Sequence, residues 1–307
     1  MSAAKFAILA SIPLILSGCR AGYAESKHLR ISCEAGNSSA CHDLALKLQK
    51  GEYVLKDETR ATALFDQGCK ANFQKSCASL GLVLQRAAGK KKDSVVARQD
   101  SARARDLFTH SCDAGAVEGC SNLGVLYQQG AGVPPDFGRA ASLFQRGCGG
   151  NDMKGCAGLG ELYASGEGVP QDFARAASLL EKSCEKKKKI MYGCVGLGRL
   201  YLAGTGVAKN DSIGADLFKE PCYNGVSRAC FELAFAYEEG RGLRQNYQTA
   251  SIWYREACGD KNGEACFRLA GLYDKGLGVH RDPSEAKEYR QKACKYRYAE
   301  ACAPTKS

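Results

Sequence analysis

Aligned on a recurrent cysteine, the apolar positions of this chain fall on helical spacing. Counting from Cys41, Cys77, Cys120, Cys156, Cys194, Cys230 and Cys266, the third residue on is always Leu (Leu44, Leu80, Leu123, Leu159, Leu197, Leu233, Leu269). The fourth is small (Ala45, Gly81, Gly124, Gly160, Gly198, Ala234, Ala270) and the seventh is Leu48, Leu84, Tyr127, Tyr163, Tyr201, Tyr237 or Tyr273. Offsets 0, 3, 4 and 7 make one face of an α-helix. Glycine inside a helix costs up to about 1 kcal/mol against Ala, so its return at one offset predicts a place where a neighbouring helix backbone comes too close for a side chain. That helix ends in Gly-x-Gly-Val at Gly130, Gly166, Gly204 and Gly276, with Gly240-Arg-Gly242-Leu243 close to it. Such glycines supply the positive φ of a helix C-terminus. Asp136, Asp172, Asp211 and Asp282 follow as N-caps, the last before Pro283. A second helix is then predicted, small eight residues before the next cysteine (Ala61, Ala104, Ala140, Ala176, Gly214, Ala250, Ala286) and large at five before it (Leu64, Leu107, Leu143, Leu179, Leu217, Trp253, Tyr289). Each unit reads as a helix–turn–helix of 36 residues.

Sixteen of the seventeen cysteines form eight pairs: Cys33/Cys41, Cys69/Cys77, Cys112/Cys120, Cys148/Cys156, Cys184/Cys194, Cys222/Cys230, Cys258/Cys266 and Cys294/Cys302. Zinc ligands usually stand two to four residues apart and often include His. Here the gap is eight or ten, and His28, His42, His110 and His280 ignore the period, so no metal and no cofactor is expected. Two cysteines eight apart on one helix would be separated by roughly 12 Å, beyond the roughly 7 Å that a disulfide spans. The chain must turn inside each pair, and the Gly-, Asn- and charge-rich segments 34–40, 113–119, 223–229 and 259–265 agree. Each pair is expected to staple adjacent antiparallel helices.

The seventeenth, Cys19, bears on compartment. Lys5 precedes an apolar run of eleven residues from Phe6 to Leu16, shorter than the roughly 20 residues of a membrane span and suited to an export signal. The following Leu16-Ser17-Gly18-Cys19 resembles the lipobox of bacterial lipoproteins, which implies acylation of Cys19 as the first mature residue. An ordinary signal cleaved after Ala21 or Ala24 is the alternative. Under the lipoprotein rule, Arg20 in place of Asp implies the outer membrane, facing periplasm or cell surface; the alternative is secretion. Oxidising compartments of this kind keep paired cysteines as disulfides.

Composition is that of a globular protein, 45% hydrophobic and 25% charged over 307 residues. The formal net charge is +10, with clusters at Lys90–Lys92 with Arg98, Arg103 and Arg105, and at Lys186–Lys189. These read as solvated turns, or as contacts to anionic lipid or an acidic partner. Nucleic acid is not an expected partner of an exported chain. The two clusters lie in different kinds of turn, on opposite edges of the array. Residues 88–95 hold a seven-residue insertion, read as a loop within the second unit or a binding device on one face.

The pattern Cys-x-x-Leu-Gly-x-Leu-Tyr-x-x-Gly-x-Gly-Val-x-x-Asp, as in 120–136 and 156–172, resembles the Sel1-like repeat. The cysteine pair is similar to that of the cysteine-rich subgroup, the Helicobacter cysteine-rich proteins. The resemblance covers residues 33–302 in about seven units. It implies an all-α, disulfide-stapled α/α superhelix (solenoid) like that of tetratricopeptide proteins, with a signal peptide at 1–18, an anchor and half-helix cap at 19–32, and a tail at 303–307. The first two units lack the full Gly-x-Gly-Val.

The same resemblance raises β-lactam binding or a weak β-lactamase acting on β-lactams or peptidoglycan peptides. Ser-x-x-Lys occurs at Ser183 and Ser284, without the Ser-Asp-Asn and Lys-Thr-Gly that accompany it in such enzymes. Ser183 stands at a helix end and Ser284 in a first helical turn, both ordinary structural places, and no catalytic residue is assigned. The function expected is a monomeric, non-catalytic scaffold binding a protein or peptide, anchored to membrane at Cys19. First helices should line its concave side by resemblance to tetratricopeptide repeats, and Asn122, Glu161, Arg199, Glu232 and Arg268, two or five after the cysteine, are its contact candidates.

Overall fold

The computed structural model of the chain describes residues 12–90, 95–185 and 190–302, and of 12–21 only the backbone. Described residues form fifteen α-helices and one short 3-10 turn, Ala299–Cys302, with no strand among them. The chain divides into two compact units, residues 1–152 and 153–307. Unit 1 holds α1 (Ile12–Glu34), α2 (Ser38–Lys50), α3 (Glu58–Lys70), α4 (Gln74–Lys90), α5 (Val95–Asp113), α6 (Val117–Gln129) and α7 (Phe137–Gly149). Unit 2 holds α8 (Met153–Ser165), α9 (Phe173–Cys184), α10 (Met191–Ala203), α11 (Asp211–Tyr223), α12 (Ser227–Glu239), α13 (Tyr247–Gly259), α14 (Gly263–Lys275) and α15 (Pro283–Lys295). The seven hairpins α2–α3 through α14–α15 make an α/α repeat array.

Two local devices repeat within the hairpins. The N-cap side chain accepts from the third backbone N–H beyond it at Asp57, Asp136, Asp172, Asn210 and Asn246. Asp211, expected as a cap, is instead the first helical residue, and Asn210 before it does the capping. The cap's own N–H donates back to the carbonyl of the residue at offset seven, as Asp136 to Tyr127 and Asp172 to Tyr163, both 3.0 Å. The turn is thereby closed at both ends.

Packing departs from expectation at one register. Four residues before the cysteine, not five, stand the deepest side chains: Phe65, Phe108, Phe144, Leu180, Phe218 and Tyr254, all fully buried. Leu64, Leu107, Leu143, Leu179, Leu217 and Trp253 beside them are only half-buried. The small residue at offset four exists for those deep side chains. A Cβ on Gly81 would meet the Phe108 ring at 2.5 Å, on Gly124 the Phe144 ring at 2.8 Å, on Gly160 Leu180 at 2.8 Å and on Gly198 the Phe218 ring at 2.6 Å. A side chain from the second helix fills the space assigned above to a neighbouring backbone, although at Gly198 the Gly214 carbonyl also lies 2.9 Å away.

The staples are formed. Disulfides join Cys33–Cys41, Cys69–Cys77, Cys112–Cys120, Cys184–Cys194, Cys222–Cys230, Cys258–Cys266 and Cys294–Cys302, with Cα separations of 4.5 to 4.9 Å. Cys148 and Cys156 are disulfide-bonded too. Beside three staples the flanking residues are matched in size: Gly68 faces Ser76, Ser111 faces Gly119 and Ser183 faces Gly193, so that a hydroxymethyl on one helix fills the space a glycine leaves on the other.

The described part of the insertion, 88–90 and 95, is helical. It lengthens both helices of its hairpin, α4 to 17 and α5 to 19 residues where most others have 13, leaving 91–94 between them. Lys186–Lys189, Lys91 and Lys92, and the tail 303–307 lie outside the described residues.

Candidate functional site

Three of the five contact candidates come together in unit 2, on the first helices of successive hairpins. Arg199 of α10 reaches Glu232 of α12 at 3.3 Å. Arg268 of α14 reaches Glu238 of α12 at 3.5 Å, and lies over the Phe235 ring, 4.8 Å from its centroid. Phe235 stacks on Phe231, with centroids 6.5 Å apart. Glu238 also accepts the Tyr254 hydroxyl at 2.5 Å. Burial, with that hydrogen bond second, pushes the Tyr254 phenol far above its ordinary value, so it remains a donor.

A fourth candidate, Glu161 of α8, is open to water. Even so, desolvation raises its carboxyl above the ordinary value, with Arg228 and Arg199 pulling it back. Glu232 is raised by the same leading cause, opposed by Arg199 and Arg228, and its side chain is 14% exposed. Charges alternate along this face, and each carboxylate has an arginine beside it.

Asn122 is corrected. It belongs to α6 in unit 1 and is 4% exposed, so it is no open contact residue. First helices of adjacent repeats pack on each other, α4 against α6 here. Offset two sits on that shared flank, where a short Asn is covered while a long Glu or Arg reaches past its neighbours. Glu232 and Arg268 at the same offset are, accordingly, spent largely on ion pairs.

One feature of this face escaped the apolar pattern. Gly271 lies inside α14 at offset five, and a Cβ there would meet nothing within 4 Å. Unlike the glycines at offset four, it faces open space. Its equivalents at this offset are Glu161, Arg199 and Phe235, so Gly271 leaves a gap in their row, next in register to Phe235.

The two serines are placed otherwise. Ser183 is fully buried, its hydroxyl donates to the Leu180 carbonyl at 2.8 Å, and Gly193 closes over it. Ser284 is part of a cap: its hydroxyl donates to Asp282 Oδ1 at 2.6 Å, and Asp282 also accepts the N–H groups of Ser284 and Glu285. The Ser183 hydroxyl meets only a backbone carbonyl, and the Asp282 carboxylate beside Ser284 is committed to the helix cap, whose hydrogen bonds from Ser284 and Glu285 lower its pKa and make it a weak base. Among the described residues no group of three His, Cys, Asp or Glu is arranged to hold a metal. The backbone at Cys19 is helical, within α1; its side chain lies outside the described residues. No described helix is long and apolar enough to cross a membrane.

Repeated helical hairpins of this kind define a helical-repeat protein, a class that generally serves protein interaction. The Sel1 repeat model matches residues 38–73, 117–152, 154–188, 192–225, 227–260 and 263–295, and the chain belongs to that family. Six of the seven hairpins are matched; the lengthened α4–α5 hairpin is not. No curated protein matches the chain. Among solved structures it is similar to c5321, a protective antigen of uropathogenic Escherichia coli with an SLR fold: 25% identity, TM-score 0.58, over 90% of this chain and 57% of that one. It is also similar to a Sel1 repeat protein from Oxalobacter formigenes: 21% identity, TM-score 0.59, over 90% of this chain and 78% of that one. The chain thus spans little more than half the length of the antigen.

Proposed function

We propose that this chain is a non-catalytic scaffold of the bacterial cell envelope, acylated at Cys19, that holds a protein or peptide against the face formed by α8, α10, α12 and α14. Sel1 repeats generally mediate protein interaction. The observation that carries the reading is the gap at Gly271. A helix interior gives up about 1 kcal/mol to keep a glycine, and no packing contact requires this one. A partner side chain entering beside Phe235 and Arg268 accounts for it, flanked by arginines and carboxylates that orient main-chain and charged groups. A staple at the start of α10, α12 and α14 ties each to the helix before it, which favours a preformed face and reduces the ordering cost of binding.

The role of Ser183 and Ser284 in staple packing and capping supports a scaffold over a hydrolase. The test is capture of the endogenous partner by in-cell crosslinking. Gly271→Trp, at a position where a Cβ meets nothing within 4 Å, should abolish capture while helical circular dichroism is retained. Undiminished capture by that variant would remove the site from this face.

A further inference from the structure

One turn of unit 1 is unlike its counterparts. At the third position of the hairpin turn the other units have glycine, Gly132, Gly168, Gly206, Gly242 and Gly278, all at positive φ. The α2–α3 turn has Tyr53, held at φ 60°, a region that costs a non-glycine residue roughly 1–2 kcal/mol. What the tyrosine gains is a contact with α1. A Cβ on Gly22 would lie 2.6 Å from the Tyr53 ring, so ring and helix are in direct contact. Lys47 of α2 adds a 3.2 Å ion pair to Glu25 and lies over the same ring, 5.5 Å from its centroid. Ser26 is buried beneath, donating to the Gly22 carbonyl at 2.9 Å. The start of α1 is thus clamped to the repeat array.

Cys19 stands three residues before Gly22 in the same helix, about 4.5 Å along its axis. Almost no tether therefore separates an acyl chain on Cys19 from the clamped surface. α1 runs toward the Cys33–Cys41 staple, so its beginning lies on the edge that carries the turns inside the hairpins. On that edge, flanking the Gly22–Tyr53 contact, Tyr23 is 68% and Leu55 91% exposed. At the position of Leu55 the other turns carry Pro134, Pro170, Ala208, Arg244 and His280. The long α4–α5 hairpin extends toward the same edge by about four to six residues more than its neighbours, roughly 6–9 Å. Near its tip Val95 and Val96 are exposed. Lys90 and Arg86 act on Glu58 from there, with Lys56 the nearest cation, which places α4's end beside the start of α3.

We propose that unit 1 seats this edge on a phospholipid bilayer, with Tyr23 and Leu55 at headgroup depth beside the acyl anchor and the exposed Val95 and Val96 at the start of α5 as a second point of contact. This rests on the reading of Cys19 as the acylated residue. An aromatic, an aliphatic side chain and nearby cations are the chemistry of the membrane interface. The short clamp leaves the edge no other position once the lipid is inserted.

The chain has one tryptophan, Trp253, so a Trp253→Phe background gives a silent protein into which single reporters are placed. Full-length Leu55→Trp and Ile31→Trp variants are purified from membranes and reconstituted in phosphatidylethanolamine/phosphatidylglycerol vesicles with brominated acyl chains. Residue 31 is exposed and nearer the staple, nine residues along α1 from Gly22. The expected result is a blue shift and quenching at 55, with neither at 31. No quenching at 55, in protein whose Cys19 carries lipid by mass spectrometry, overturns the seating and leaves the anchor standing. Equal quenching at both positions overturns it as well. Quenching at 55 alone with Cys19 unmodified supports the surface and refutes the anchor.

Discussion

Gly206 and Gly271 are both glycines of unit 2, and they answer to different physics. Gly206 has φ +73°, and a Cβ there would fall on the Phe173 carbonyl. Gly206→Ala therefore meets a conformational cost of about 1–2 kcal/mol and a backbone clash besides, and should lower stability by at least about 2 kcal/mol in a urea titration. Gly271→Ala, with open space and helical φ, should raise stability by about 0.5–1 kcal/mol. His42 supplies the acid-sensitive residue of unit 1. Buried at offset one, it shares a 3.2 Å hydrogen bond with Ser76 Oγ and packs between Phe65 and Phe73. Desolvation lowers its pKa from 6.5, with Asp43 and Glu118 opposing and Lys75 assisting. The unfolded chain then binds a proton that the folded chain refuses, so stability falls as pH drops below about 6.5 toward the lower folded value. His42→Phe, the residue that Phe231 and Phe267 supply at the same offset, should flatten melting temperature between about pH 7.5 and 5; an unchanged slope would assign the acid response to other groups. At this scale the sequence showed which offsets face inward, because period alone determines a face. It did not show which of two adjacent large residues goes deepest, since Leu64 and Phe65 differ by 100° of helix turn and both fit an apolar stripe.

Inside a hairpin the helix boundaries are signals legible in the chain: the first helix ends at an αL glycine, as at Gly130 and Gly204, and the second starts at an Asp or Asn cap, as at Asp136 and Asn210. The exception is instructive. Ala87 stands where the other turns have their αL glycine, and without that stop α4 continues through Gly89 to Lys90. Staples act at this same scale. Closing a loop of about nine residues is worth roughly 2.6 kcal/mol in the loop-entropy model. The Cys222→Ala/Cys230→Ala double variant should lose about 2–3 kcal/mol in guanidinium unfolding, with α11 and α12 still helical because Phe218 and Leu233 remain buried in one core with Tyr254 of α13. Loss of all helicity in that variant would mean that the staple, not the packing, nucleates the hairpin.

For the molecule as a whole, repetition carried the fold into the sequence and function largely stayed out of it. Seven registers of one pattern define a helical-repeat protein however they are read, since units that touch only their neighbours must repeat their contacts. A binding face is made of the positions that break the pattern, and a break is visible only once neighbours across helices are known. Arg199 and Glu232 are 33 residues apart in sequence and 3.3 Å apart in the structure; Gly271 looks like any other helical glycine until the space around it is seen. The most direct test of the scaffold account puts a benzophenone amino acid at position 271, and in a separate protein at Ile252, exposed on α13, then irradiates intact cells. The account predicts one discrete crosslinked partner from 271 and none from 252. A partner captured from 252 and not from 271 would contradict it.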